Sequence, residues 1–348
     1  MELIKPGTRI DFVGRRRLFV TLSVAVIALC LIGILFAPGP NWGIDFKGGA
    51  EMDVEFKAPI RIEELRDAVE ALNLGDVKVQ SLTEDGVESQ TKFLIQVEQI
   101  ESVEDPPAAP EADDDVLSDA PRSEREEPVD TMGLVESKLN EVFGAVGFEI
   151  IKTDFVGRRV SEELLESGVK AIIYSIALLL IYITLRFEFK YAIGAVLALL
   201  HDVTITTGAF VFSQKALNLP IVAALLTIVG YSLNDTIVVF DRVRENMRRM
   251  RRLEFNDMVN ASVNEVLPRT LITSGTTLIT VSFLWWLGGG VIQDFAFALI
   301  VGVLVGTYSS VFIASAFVVE WETWKAKRRS PAAGEKVSAK TKDNGVKL

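Results

Sequence analysis

Long apolar stretches alternate with charged segments along this chain of 348 residues. A helix that spans a bilayer needs about 20 predominantly apolar residues. Six stretches approach or exceed that length: 18–37, 171–185, 193–212, 221–240, 271–291 and 295–320. The pattern therefore predicts an α-helical membrane protein with six transmembrane helices, and it excludes an ordinary soluble enzyme and a wholly disordered chain.

A different pattern fills the segment between the first two apolar stretches. Polar and apolar residues alternate in 51–56, which predicts a strand, whereas the apolar residues of 62–73 recur at helical spacing. The remaining predicted elements are strands at 77–82, 92–97 and 148–155 and a helix at 134–143. The order strand, helix, strand, strand, helix, strand predicts an inserted α+β domain of the ferredoxin-like type. Residues 101–130 are rich in Pro, Ala, Asp and Glu, which predicts a disordered acidic insertion.

Charge separates the two parts of the chain. Residues 38–168 contain 32 acidic and 12 basic side chains, while the other residues contain 15 acidic and 24 basic side chains. Basic residues concentrate before the first apolar stretch, after the second and fourth, and in the tail. Cytoplasmic loops carry an excess of Lys and Arg. We therefore expect both termini in the cytoplasm and the acidic domain on the outer side of the membrane, which is the periplasm in a cell whose inner membrane holds the protein.

These patterns predict one order of segments along the chain. The segments are a cytoplasmic N-terminus (1–17), TM1 (18–37), the periplasmic domain (38–168), TM2 (169–186), TM3 (191–213), TM4 (220–240), a basic cytoplasmic link (241–269), TM5 (270–288), TM6 (294–320) and a basic cytoplasmic tail (321–348).

Composition restricts the chemistry. Cys30 is the only cysteine and His201 the only histidine, which excludes a disulfide framework and a multi-histidine zinc site. The chain has no G-x-x-x-x-G-K-[ST] loop for nucleotide phosphates. Its large polar segment is acidic, which argues against nucleic acid as a partner. We expect no enzymatic activity, no metal and no organic cofactor.

Asp235 lies well inside the fourth apolar stretch, next to Asn234. A carboxylate at that depth costs about 2.5 kcal/mol or more on insertion scales and normally faces the interior of a helix bundle or a water-filled cavity. A carboxyl group held in such a cavity can take up and release a proton. A buried structural Asp that only bonds to neighbouring helices is the alternative interpretation.

Arg269 precedes the fifth apolar stretch. It is followed at helical spacing by Thr273, Thr276, Thr277 and Thr280. A polar face on a membrane helix points toward protein or water, so Arg269 could act as a charge partner of Asp235. Alternatively, Arg269 anchors the helix at the headgroups and the threonines pack against other helices.

His201 and Asp202 lie together in the third apolar stretch. A neutral imidazole beside a carboxylate can pass protons, and the same pair can simply link helices. His201, Asp202, Asn234 and Thr273 are therefore candidates either for a secondary relay or for polar helix packing.

Several motifs carry a resemblance to a known family. Gly43-Ile-Asp-Phe-Lys-Gly-Gly49 follows the first apolar stretch, the segment 223–246 contains G-Y-S-L-N-D-T-I-V-V-F-D-R-V-R-E-N, and 267–278 begins L-P-R-T-L-I-T-S-G-T. With 156–160 and 199–204, these motifs resemble the SecD/SecF family of bacterial protein-export membrane proteins over about residues 10–325.

The resemblance implies a fold related to the resistance-nodulation-division transporters. It implies a role as an auxiliary subunit of the Sec translocase, which uses the proton gradient with a SecD partner to promote export of unfolded secretory polypeptides. Asp235 and Arg269 match the family's aspartate and arginine of proton conduction, with protons as the coupling ion. The SecYEG channel, the SecA motor, YajC and anionic lipids are the further partners that we expect.

Three other functions stay open at this point. The first is half of a small-molecule or lipid exporter of the same superfamily, the second a non-transporting scaffold of the Sec complex, and the third an intramembrane hydrolase. The sequence shows no paired catalytic aspartates for the last of these.

Overall fold

The computed structural model describes residues 10–36, 39–75, 77–84, 87–97 and 131–329. The predicted acidic insertion 101–130 lies outside the described residues, as do the first nine residues and the tail after 329. The chain divides into two compact units. We call residues 1–40, 172–215 and 221–348 the helical unit, and residues 41–171 and 216–220 the sheet unit.

Six helices of the described chain are long and apolar enough to cross a membrane. They are α1 (Arg16–Leu35), α5 (Arg158–Arg186), α6 (Phe189–Phe212), α7 (Leu219–Arg249), α8 (Phe255–Leu287) and a last stretch made of α9 (Gly290–Ser309), a π-helix (Ser310–Ala314) and α10 (Ser315–Arg329). The number of apolar helices agrees with the six predicted from the sequence.

The helix α8 begins at Phe255, well before the predicted start of TM5 at residue 270. The predicted link 241–269 is thus mostly helical. Two asparagines of α8 explain why its first turns are ordered, because their amides bind the backbone that precedes α1. Asn260 Oδ1 accepts from the N–H of Phe12 at 2.8 Å, and Asn264 Nδ2 donates to the carbonyl of Ile10 at 2.8 Å.

The core of the helical unit joins residues from α6, α7 and α8 and from the segments around them. Tyr191 and Leu199 of α6 lie in one buried cluster with Phe240 of α7 and Val259 of α8. Each of these side chains is at most 1% exposed. Tyr191 and Phe240 also pack ring against ring, with centroids 4.9 Å apart. This packing fixes α6 against α7, the two helices that carry the buried acids.

The described residues of the sheet unit form four strands and three short helices. The strands and the two longer helices follow the order that the sequence pattern predicts. The elements are α2 (Ile44–Lys47), β1 (Gly49–Phe56), α3 (Ile62–Glu70), β2 (Val77–Glu84), β3 (Val87–Val97), α4 (Thr131–Phe143) and β4 (Phe148–Val156). All three strand pairs are antiparallel, and the strand order is β2-β3-β1-β4.

The core of the sheet unit follows from the alternation in β1. Val54 and its alternate neighbours Met52 and Phe56 are buried on one face, where Leu65 of α3 and Leu139 of α4 cover them. Successive side chains of a strand point to opposite faces. The intervening acidic residues of β1 therefore lie on the face that the helices do not cover.

Gly48 and Gly49 form the turn that leads into β1. Their φ angles are +78° and +124°, a region that residues with a Cβ rarely adopt. A Cβ on Gly48 would also lie 3.1 Å from the Cα of Arg158. The glycine pair thus forms a tight turn in which two backbone segments approach each other closely.

Candidate functional site

Asp235 lies on the buried side of α7. The residue is 4% exposed, and its Oδ2 atom has no hydrogen-bond partner among the described residues. The hydroxyl of Ser274 on α8 lies near the carboxylate. Burying a charged group is costly unless hydrogen bonds and an opposite charge compensate it. The carboxylate of Asp235 is only partly compensated, so its charge is sensitive to changes around it.

Arg269 is exposed on α8, and no ion pair of 4 Å or less joins it to Asp235 in the described part of the chain. Its guanidinium is nevertheless near enough to act on the Asp235 carboxylate through its charge. Asn234 and Thr273 are exposed as well, and the Thr273 hydroxyl donates back to the backbone of α8. The structure thus places Arg269 near Asp235 and keeps Asn234 and Thr273 on the surface of the helical unit.

A short chain of hydroxyls continues from Asp235 to a third helix. Ser274 Oγ and Thr307 Oγ1 of α9 are 2.7 Å apart, and the Tyr231 hydroxyl donates to Ser274 at 3.4 Å. The sequence pattern did not identify Ser274 of α8 or Thr307 of α9 as candidate site residues. Their signal in the sequence is only the small polar side chain within an apolar run.

Asp202 forms a second buried network. It is fully buried on α6, and its Oδ2 accepts hydrogen bonds from Ser232 of α7 at 2.5 Å and Ser309 of α9 at 2.8 Å. Its Oδ1 lies 2.8 Å from Nδ1 of His201. The structure brings His201 and Asp202 together as the sequence suggested, and it adds two serines from other helices that the sequence analysis missed.

The imidazole of His201 is 3% exposed and stacks on the ring of Tyr308, with centroids 5.9 Å apart. Its Nε2 atom has no partner among the described residues. The Tyr308 hydroxyl is held elsewhere, because it bonds to Ser23 at 2.9 Å and donates to the carbonyl of Phe19 at 3.0 Å. One side of the imidazole is therefore fixed and the other is left without a hydrogen bond.

Two glycines of α9 bring these networks together. A Cβ on Gly302 would lie 2.3 Å from Cδ1 of Ile228, and a Cβ on Gly306 would lie 3.0 Å from Cβ of Ser232. Small residues let helices approach closely. The contact between α9 and α7 therefore depends on Gly302 and Gly306, and that contact lets Ser232 and Ser309 reach the same carboxylate oxygen.

The open face of the sheet unit carries a separate group of charged side chains. Burial raises the pKa of Glu51, although the amide of Gln96 donates to its Oε2 at 2.7 Å and opposes the shift. Burial also raises the pKa of Asp53. Lys152, hydrogen-bonded to Asp154 on β4, has a raised pKa because that carboxylate stabilises its ammonium form. The face is thus acidic, half-buried and responsive to pH.

No group of three or more His, Cys, Asp or Glu side chains that could hold a metal ion occurs in the described ranges. The two buried acids described above, Asp202 and Asp235, instead lie apart from each other, each beside serine residues of other helices. Together with the six apolar helices, they define a multi-span membrane protein with titratable groups inside its helix bundle. In sequence, an α+β unit separates the first two of its spans.

Family models identify the chain further. A model described as "Protein export membrane protein SecD/SecF, C-terminal" matches residues 135–324, and a "SecD/SecF GG Motif" model matches residues 33–60. The chain belongs to the SecD/SecF family of protein export membrane proteins. The second match includes the Gly48-Gly49 turn described above.

Curated relatives give the same family. Protein translocase subunit SecF of Magnetococcus marinus is 41% identical over 98% of this chain and 98% of its own length. Subunit SecF of Vibrio alginolyticus is 39% identical over 92% of each chain. Subunit SecDF of Thermus thermophilus is 35% identical over 96% of this chain, which spans 41% of that longer protein.

A solved structure supports the fold. The crystal structure of SecDF from Thermus thermophilus, described as a translocon-associated membrane protein, superimposes with a TM-score of 0.74 at 32% identity. The match covers 91% of this chain and 39% of that one. The chain therefore has a role in the Sec export pathway, and the relative that contains both halves in one polypeptide implies that it associates with SecD.

Proposed function

We propose that this chain uses the proton gradient, together with a SecD partner, to promote export of proteins through the Sec translocase. The buried carboxylate of Asp235 carries the proposal, because its Oδ2 atom has no partner and its nearest strong positive charge is not in contact with it. In that setting, the surroundings of the carboxyl group decide whether its protonated or its ionised form is more stable. Such a dependence is what couples proton binding to helix movement.

Arg269 acts in this proposal on the charged form of Asp235. When Asp235 is ionised, the guanidinium and the carboxylate attract each other across the gap between α8 and α7. When Asp235 takes up a proton, that attraction is lost and the helices are free to separate. A Coulomb interaction of this kind is much stronger in a bundle of low dielectric constant than in water. Protonation therefore biases the position of α8 against α7.

The exposed polar stripe of α8 is where we place the SecD partner. Thr273, Thr276 and Thr280 are exposed although they lie on a helix that is apolar enough to cross a membrane. Their hydroxyls donate to the backbone of α8 itself, so these three hydroxyl groups are satisfied within the helix. Small residues such as threonine favour close helix packing in membranes. Six further helices of SecD would complete a twelve-helix arrangement.

The sheet unit is proposed to be a ferredoxin-like domain in the periplasm. Its strand order β2-β3-β1-β4 with two crossing helices supports the ferredoxin-like assignment. Basic residues are in excess before the first membrane helix, after the second and fourth, and after the last. This excess supports an orientation in the inner membrane with both termini in the cytoplasm. Movement of this domain, driven from the helices, would hold or release the emerging polypeptide.

Further partners follow from the family and from charge. The SecYEG channel is the proposed docking partner, with SecA and YajC contributing to the same assembly. A cavity of about 650 Å³ is lined by four arginines and two acids, and its net positive charge supports binding of anionic lipid headgroups on the cytoplasmic side; the residues are Arg186, Arg244, Arg248, Arg249, Asp241 and Glu245. Protons are the only coupling species in the proposal, and no organic cofactor or metal takes part.

The test is export of a secreted reporter in cells whose only copy of the gene carries Asp235→Asn. This change keeps the side-chain shape and removes the titration. Asp241→Asn is the matched control, because Asp241 lies on the same helix with a side chain that is 61% exposed. The proposal predicts that export stalls with Asp235→Asn and proceeds with Asp241→Asn, at equal membrane levels of this chain and of SecD. Normal export with Asp235→Asn would favour the non-transporting scaffold.

A half-exporter of small molecules or lipids is the other candidate from the same superfamily. It predicts that Asp235→Asn leaves secretion of the reporter intact and instead changes the accumulation of a lipid or small molecule. An intramembrane hydrolase is not supported, because the buried carboxylate of Asp202 binds serine hydroxyls of other helices and no hydrogen bond joins it to Asp235 in the described residues.

A further inference from the structure

The hydrogen bonds around Asp202 determine which protons its neighbours carry. An ionised carboxylate only accepts hydrogen bonds, and serine hydroxyls can donate to it. Ser232 and Ser309 both donate to Oδ2, at 2.5 and 2.8 Å, so the charged form of Asp202 is well satisfied. The bond of 2.8 Å to His201 then places a hydrogen on Nδ1 of the imidazole. Asp202 thus orients a neutral imidazole.

With its hydrogen on Nδ1, the imidazole has a lone pair on Nε2. This atom is buried and has no partner in the described residues, although His201 is 3% exposed. A carboxylate that binds one ring nitrogen of His stabilises the imidazolium when the other nitrogen takes up a proton. The pair His201–Asp202 therefore has the parts of a proton-binding site: a free lone pair and a fixed counter-charge.

A cavity of about 540 Å³ lies against His201. Water occupies about 30 Å³ per molecule in the liquid, so the cavity has room for a chain of several waters. Arg17 and Thr21 line it at helical spacing along α1, and Arg16 and Glu320 line it as well. Apolar side chains such as Val20, Val24 and Ile27 form most of the remaining lining, and the polar groups lie among them between the charged start of α1 and the imidazole.

We propose that Nε2 of His201 is a second proton-binding site of this chain, which Asp202 balances and which water in this cavity reaches when the side chains that cover Nε2 move aside. A proton from hydronium in the cavity forms a bond to the Nε2 lone pair, and the hydronium becomes water. The pair changes from a net charge of −1 to zero, and release of the proton to water reverses the step. No other reactant takes part.

The charged and titratable groups around the site are consistent with Asp202 as the counter-charge. On the cavity side, Arg16 is paired with Glu320 at 2.8 Å, and Arg17 is exposed. From α9, Tyr308 faces the ring, and its hydroxyl is bound to other residues. Asp202 is thus the acidic side chain in direct contact with the imidazole.

The site shares two helices with the Asp235 network. α7 carries both Ser232 and Asp235, and α9 carries both Thr307 and Ser309. A π-helix follows Ser309 directly, and such wide turns are frequent at functional sites. Proton binding at His201 would therefore act on helices that also hold Asp235. The proposal does not require Asp235 to conduct protons, so the two can fail independently.

Since His201 is the only histidine, it can be observed alone. The full chain, purified with a tag that lacks histidine, is labelled with ¹⁵N in the imidazole ring and placed in lipid nanodiscs. The proposal predicts a hydrogen on Nδ1 and a bare Nε2 at neutral pH, and a ring protonated on both nitrogens after acidification of the folded protein. Asp202→Asn should remove the preference for Nδ1. A hydrogen on Nε2 at neutral pH, or a ring that stays neutral until the protein unfolds, would overturn the proposal.

Access through the cavity is tested by modification of His201 with diethyl pyrocarbonate in native membranes, followed by peptide mass spectrometry. Val24→Trp places a large ring in the cavity, and Leu22→Trp is its matched control on α1. Leu22 is 53% and Val24 60% exposed, but only Val24 lines the cavity. The modification should be lost in Val24→Trp and kept in Leu22→Trp. Two results would contradict the water path. One is a wild-type chain that is not modified, which a cavity filled by lipid would give. The other is equal modification of the two variants.

Discussion

Replacement of Gly302 by alanine tests the close contact between α9 and α7. The added methyl would lie 2.3 Å from Cδ1, 2.4 Å from Cγ1 and 2.8 Å from Cγ2 of Ile228. Carbon atoms pack at about 3.5–4.0 Å. Ile228 is 1% exposed, so neighbouring atoms cover its side chain. Either the side chain leaves its rotamer or the two helices separate, and overpacking of this kind costs about 1–3 kcal/mol.

Gly230→Ala is the matched control. Gly230 lies on α7, and a Cβ at that position meets no atom within 4 Å. Alanine in a helix is favoured over glycine by about 0.5–1 kcal/mol, and both variants receive that gain. The difference between them therefore isolates the contact with Ile228. We expect Gly302→Ala to be less stable than Gly230→Ala by about 1–3 kcal/mol.

The measurement is unfolding of the purified chain by a denaturing detergent in mixed micelles, followed by tryptophan fluorescence. Equal free energies of unfolding for the two variants would refute the packing argument. The same variants carry a second readout, since separation of α9 from α7 moves Ser309 away from Ser232. The imidazole signal of His201 should then change in Gly302→Ala and stay unchanged in Gly230→Ala.

Two other predictions concern charge. A raised pKa of Glu51 in the folded chain means that the stability it contributes is complete below the ordinary pKa of Glu and is lost as pH rises through the raised value. Glu51→Gln should therefore make the sheet unit more stable at neutral pH and weaken this pH dependence, measured by hydrogen exchange of β1 in the full chain. An unchanged pH dependence in Glu51→Gln would contradict this argument. Lys190 is 6% exposed and donates to Glu322 at 2.7 Å, so Lys190→Met should cost about 1.5–3 kcal/mol, the range for hydrogen bonds to charged groups. Lys325→Met, on the exposed side of α10, should change detergent unfolding by less than about 0.5 kcal/mol. An equal loss in both lysine variants would contradict the burial argument.

The sequence predicts the helices and strands well because their patterns report which faces are apolar. The six long helices and the strand and helix order of the sheet unit follow from that information alone. The start of α8 does not, because residues 255–269 are ordered by the bonds of Asn260 and Asn264 to a segment far away in sequence. Contacts between distant segments leave no periodic signal.

The polar centres were predictable only in part. Asp235 and the pair His201–Asp202 stand out in the sequence because charged residues are rare in apolar stretches. Ser309 does not stand out, since a serine fits a membrane helix at little cost and its partner lies on another helix. The exposure of Arg269 was also not foreseeable, because helical spacing shows which residues share a face but not what that face meets.

Proton flux through reconstituted complexes tests the central claim about Asp235 most directly. The full chain and its SecD partner are placed in vesicles with a pH-sensitive dye inside, and a pH gradient and membrane potential are applied. We predict proton uptake with the wild-type chain and with Asp241→Asn, and loss of uptake with Asp235→Asn at equal incorporation. Uptake by Asp235→Asn at the wild-type rate would contradict the account, and Asp235 would then be a structural residue of α7.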